Sequence, residues 1–197
     1  MGWSGFDGLS LPWFLKKTDY KAMKTSTIRL KTSLQDAILD ALNKQMAVEA
    51  HSCAAYLSIA AWCHAQGLVG CATYFKKQSG DEREHMLRLF DYVCETGGLA
   101  VSPEVKGIRS EFEGLRGAFL TALDMEIAIT ENFNKLTELC HKNRDFQTAK
   151  FLQWYLNEQL EEEQQARRCI EIYDLIGPES GGLYKIDKEI VKLLDAE

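Results

Sequence analysis

In the stretch GDEREHMLRLFDY, residues 80–92, Glu82 stands three residues before His85. At that spacing on a helix, a carboxylate and an imidazole share a face and reach the same point. A solvated surface explains a run of charges. It does not explain a Glu and a His in line with Tyr74, Phe75, Gln78, Leu89 and Tyr92. Other acids also fall among apolar residues. Glu49 lies in MAVEAHSCAAYL, Glu126 in FLTALDMEIAIT, and Glu158, Glu161 and Glu162 in FLQWYLNEQLEEEQQA. A carboxylate buried alone is costly, and several together repel and raise one another's pKa. Few cations accompany them, so a divalent or trivalent metal ion is the group that makes the set tolerable. Carboxylate oxygens and one neutral imidazole suit iron, and a carboxylate can bridge two ions.

These residues need long elements to hold them. From Thr32 the pattern is helical, with Thr32 or Ser33 as the cap and Asp36 in the first turn. Leu34, Ile38, Leu42, Met46 (or Gln45), Glu49, Cys53, Tyr56, Ile59 and Cys63 recur at steps of three or four, to about His64. Further helices are expected at about 68–95, 109–142 and 146–176, with a short one at about 183–194. Gly177-Pro178 is a firm stop before the last. Short joints make helices 1–2 and 3–4 antiparallel hairpins. The longer connection, about 96–108, is the single crossover of a ferritin-like four-helix bundle. The fold class is therefore all-α, an up-down four-helix bundle with a long crossover and a short fifth helix. Glu49 precedes Glu82 by 33 residues and Glu126 precedes Glu162 by 36. In hairpins with short turns, both spacings bring the paired acids to similar depth, so four carboxylates converge in mid-bundle.

Composition narrows the function. The chain has 197 residues, 46% hydrophobic, with net charge −6. That describes one globular domain with a sizeable core. No run of Lys and Arg points to nucleic acid, and no apolar stretch reaches the roughly 18 residues of a membrane span. Six scattered cysteines without a CxxC pair read as reduced thiols of a cytosolic compartment. Residues 1–27, rich in Gly and aromatics, read as an extension that is disordered or targeting. They make a poor secretory signal, and Phe6 breaks the myristoylation pattern. A cytoplasmic location is expected, with a plastid as the alternative if the extension is a targeting peptide. The domain proper is 28–197. His51, His64 and His141 read as surface or packed histidines, Trp154 as packing and Glu163 as solvated.

The stretches GDEREHMLRLFDY, FLQWYLNEQLEEE and GLYKIDKEI resemble the non-haem ferritins, most closely the bacterial type, from Thr32 to the end of the chain. The resemblance implies a ferroxidase that oxidises Fe2+ with O2 or peroxide at a di-iron centre. It also implies a hollow homo-oligomer of 24 subunits that stores the ferric mineral. By position, Glu49, Glu82 and His85 resemble the first iron site. Glu82 would bridge to a second site completed by Glu126 and Glu162, with Gln159 close by. Tyr56 resembles the tyrosine beside the centre. A third iron position would use Asp81, Glu158 and Glu161, where Asp81 is shorter than the usual Glu. The segment after Gly182 is similar to the fifth helix of the family. In place of a second Glu-x-x-His the chain has Glu162-x-x-Gln165, which favours ferritin over bacterioferritin and over a di-iron peroxidase or oxygenase of the rubrerythrin type. No haem is expected.

Overall fold

The structure is a computed structural model and describes residues 32–195, so the expectations for residues 1–27 fall outside it. Four long helices form in chain order: α1 (Asp36–Ala65), α2 (Val69–Glu95), α3 (Gly114–Lys142) and α4 (Phe146–Ile176). At 1.5 Å per residue each spans roughly 40–47 Å. A short helix, α5 (Gly182–Val191), runs into a 3₁₀ turn, Lys192–Asp195. α1 packs along α2 and α3 along α4, and the two hairpins meet through α1 and α3. α5 rests on α2 and α4. This is the expected all-α bundle.

The helix boundaries follow local chemistry. α4 starts after Asp145, whose side chain accepts from Thr148 N at 3.0 Å and so satisfies an orphan donor of the first turn. It stops at Gly177, where φ is +75°, a conformation that favours glycine. Two boundaries differ from expectation. α1 begins at Asp36 after Gln35, not after Thr32 or Ser33, and Gln35 makes no capping bond. Its amide instead donates to Asn143 O at 3.0 Å, tying the start of α1 to the α3–α4 turn. α3 begins at Gly114, five residues later than the helical pattern suggests. The crossover keeps residues 109–113 because they pack along α1. Ser58 Oγ donates to Arg109 O at 2.7 Å, and Phe112 meets the Trp62 ring edge-on at 5.7 Å.

The core is not one apolar mass. One cluster, toward α5, joins Tyr56, Ile59, Tyr74, Phe75, Phe119, Ile172 and Ile186. The other, toward the opposite end, joins Ile38, Leu42, Leu89, Phe133, Leu152 and Tyr155. Between them Gln45, Glu49, Gln78, Glu82, His85, Glu126 and Gln159 are buried as a polar layer.

Candidate metal centre

Each long helix sends a carboxylate toward this layer. Glu49 (α1) and Glu126 (α3) are fully buried, and Glu82 and His85 (α2) nearly so. Glu162 (α4) is half-buried. One turn of α2 presents Glu82 and His85 together, and their Oε2 and Nδ1 atoms lie 3.6 Å apart. Ligand-capable atoms of Glu49, Glu82 and His85 all lie within 4.8 Å of one another. Glu126 and Glu162 fall outside this tightest group.

Three buried atoms of the group find no hydrogen-bond partner: Glu49 Oε2, Glu82 Oε2 and His85 Nδ1. Buried polar atoms are nearly always satisfied, so three orphans at one point suit a shared electrophile, a proton or a metal ion. The donor set suits a first-row metal ion. Ligands bound at about 2.1 Å in tetrahedral to octahedral geometry stand roughly 3.0–3.4 Å apart, close to the separation of the Glu82 and His85 atoms. Neighbouring rings hold the imidazole in place: His85 packs edge-on against Trp154 and Tyr155. Tyr155 Oη donates to the His85 carbonyl at 2.9 Å.

Burial and mutual repulsion favour the protonated form of the carboxyls in this layer. Burial raises the Glu49 carboxyl well above the ordinary 4.5, and the adjacent Glu82 charge raises it further. Burial and then the Glu126 charge raise Glu82 well above the same value. Burial also raises Glu126, against the pull of hydrogen bonds from Tyr56 and Gln159. Those bonds occupy both Glu126 oxygens: Tyr56 Oη donates to Oε1, and Gln159 Nε2 donates to Oε2 at 3.0 Å. Burial, followed by the Glu126 charge, keeps the Tyr56 phenol protonated far above its usual range. Gln78 Nε2 donates to Glu162 Oε2 at 3.3 Å.

Asp81, Glu158 and Glu161 lie apart from this buried set. With His85 and Glu162 they line a depression of about 420 Å³ between α2 and α4. Two cations share its wall. Lys77 Nζ donates to both Asp81 oxygens at 2.7 and 2.8 Å, and Arg88 lies over the Trp154 ring at 4.0 Å. Cys53 is only half-buried, and its place on the inner stripe is taken by Ser52. The three histidines read as surface or packed, His51, His64 and His141, are all exposed.

Neither Gln45 nor Gln78 belongs to the ligand set expected from the sequence. Gln45 Nε2 donates to Glu49 Oε1 at 2.6 Å. The signal was its place one helical turn before Glu49, an amide where an aliphatic residue would pack more cheaply.

The fold and the layer together define a carboxylate-rich four-helix bundle with a Glu-Glu-His group that could hold a metal ion. Comparison with known proteins agrees. Residues 39–176 match the family profile of the ferritin-like domain. The bacterial non-heme ferritin of Escherichia coli O6:H1 is 36% identical over 160 residues, 81% of this chain and 97% of that protein. A probable bacterial non-heme ferritin-like protein of Haemophilus influenzae is 34% identical over the same shares. Among solved structures, the open-pore ferritin of Archaeoglobus fulgidus superposes with a TM-score of 0.79 at 34% identity, covering 81% of this chain and 97% of that one. The chain belongs to the ferritin family, and its relatives are of the bacterial non-haem kind.

Proposed function

We propose that this protein stores and detoxifies iron, oxidising Fe2+ to Fe3+ with O2 or peroxide at the Glu49–Glu82–His85 layer. The observation that carries this reading is the trio of buried, unpartnered ligand atoms at one point of the bundle. In this reading iron is substrate and cargo. Glu49, Glu82 and His85 bind the first ion. Glu82 extends toward a second, held by Glu126 and Glu162 with Gln159 beside it. Two ions held side by side can deliver electrons to one oxidant molecule, while the protein contributes position and compensating charge. Tyr56, hydrogen-bonded to Glu126, is placed to supply a proton and an electron. The product leaves by the depression lined with Asp81, Glu158 and Glu161, for storage inside a homo-oligomeric shell. The six described cysteines are all free thiols, which supports a reducing compartment such as the cytoplasm.

The missing second imidazole argues against a tightly held di-iron cofactor. Gln165 stands where that His would be, and its side-chain oxygen accepts from Tyr74 Oη at 3.5 Å. Aerobic addition of Fe2+ tests the proposal, with ferric absorbance and O2 uptake followed in stopped flow. Glu82→Ala and His85→Ala together are expected to leave the bundle helical and to slow oxidation by at least about 100-fold, the scale of losing a metal's ligands. Oxidation at the wild-type rate in that variant would defeat the assignment.

A further inference from the structure

The hydrogen bond from Gln45 has a consequence for metal choice. A carboxylate can bind an ion through one oxygen or through both. Large, flexible ions such as Ca2+ and the lanthanides accept two-oxygen chelation, whereas small first-row ions prefer single, well-directed donors. Glu49 is fully buried, and Gln45 Nε2 takes its Oε1 at 2.6 Å. Oε2 has no partner and belongs to the group that includes Glu82 and His85. Gln45 is itself buried at 4% exposure. It lies one helical turn before Glu49, and an unbroken α1 fixes the two side chains relative to each other. A methionine or leucine would fill this place without burying an amide, so packing alone gives no reason for Gln.

We propose that Gln45 is a positioning residue that sets how many oxygens Glu49 offers. By occupying Oε1 it makes Glu49 a one-oxygen ligand aimed at Glu82 and His85, and so biases the centre toward small first-row ions. The proposal rests on the iron-binding reading above and concerns metal selection before any oxidation. Glu126 takes donors on both oxygens from two other helices and would meet an ion through a remaining lone pair, so the contrast between one occupied and one open oxygen is particular to Glu49.

The test uses the whole protein, freed of metal, with Zn2+ and Tb3+ as probes in calorimetric titrations, and Co2+ absorption as a report on ligand geometry. Gln45→Met keeps the length and volume but has no donor. Zn2+ affinity is expected to fall about 10- to 100-fold, the usual effect of removing a group that orients a ligand. Tb3+ affinity should hold or rise, and the Co2+ spectrum should change. A variant that merely loosened the fold would weaken both ions together and lower the melting temperature. Unchanged Zn2+ affinity and an unchanged Co2+ spectrum overturn the proposal, as does an equal loss for both ions. A crystal structure of the Zn2+-loaded wild type serves even if the variant does not fold. Glu49 is expected to bind through Oε2 alone with Gln45 still on Oε1, and chelation through both oxygens overturns the proposal. If the wild type binds no Zn2+ or Fe2+ at all, the iron-binding reading itself fails.

Discussion

Three carboxyl groups in a buried layer make the metal-free protein lose stability as pH rises, not as it falls. Glu49, Glu82 and Glu126 all titrate above the 4.5 of an unfolded chain. A raised folded pKa gives stability that is complete below the unfolded value and is lost as pH climbs through the folded one. Metal-free protein should therefore lose the contribution of these groups as pH rises above the ordinary 4.5 and through their raised values. Glu49→Gln removes one such group while preserving shape and both polar atoms. Differential scanning calorimetry of metal-free samples should show it more stable than wild type at pH 7.5 by about 1–3 kcal/mol, the range for an uncompensated buried polar group. The gain should shrink toward pH 5, and the variant should bind metal poorly. A wild-type advantage at pH 7.5 without metal would mean that the layer is not strained by its own charge.

At the level of elements, α5 does more than cover the end of the bundle. Asp187, 8% exposed, accepts from Gly70 N at 2.9 Å and from Cys71 N at 2.8 Å, the orphan donors at the start of α2. α2 thus takes its cap from a helix more than a hundred residues on. Its own preceding residue, Leu68, has no side chain to do so. The contact requires glycine at position 70, because a Cβ there would lie 2.2 Å from the Asp187 carbonyl oxygen. Asp187→Ala should cost about 1–2 kcal/mol, as loss of other helix caps does. That is roughly 2–8 °C in melting temperature for a domain of this size. Gly70→Ala should be worse and should release α5, seen as rapid proteolytic clipping after residue 181. If the α5 segment of Gly70→Ala resists protease as in wild type, the capping account is wrong. The later start of α3 belongs to the same scale, since residues 109–113 are held by Ser58 and Trp62 on α1.

For the whole molecule, a single copy leaves Leu57, Leu160, Leu175 and Tyr184 more than half exposed. Exposed apolar groups of this size gain by being covered. A shell of 24 chains of 22.3 kDa would run near half a megadalton. Size exclusion with light scattering is expected to find that mass, and a stable monomer would leave iron storage without a container. Among the described residues no helix is long and apolar enough to cross a membrane.

The sequence alone determined the helices, because a period of three to four apolar residues and a Gly-Pro stop act over short distances. It also singled out Glu49, Glu82 and His85, which the fold brings within 4.8 Å of one another, because an acid on an apolar stripe is conspicuous wherever the helix packs. What it left open depends on contacts between residues far apart in the chain. Gln35 leaves the cap of α1 to reach Asn143, Asp187 caps α2, and Lys77 occupies Asp81 at the mouth of the depression. The hydrogen bonds that Glu126 accepts from Tyr56 and Gln159 were likewise decided only by packing. An amide or phenol one helix away looks the same in sequence whether its hydrogen points at a carboxylate or past it, and that direction follows from how the helices settle against one another.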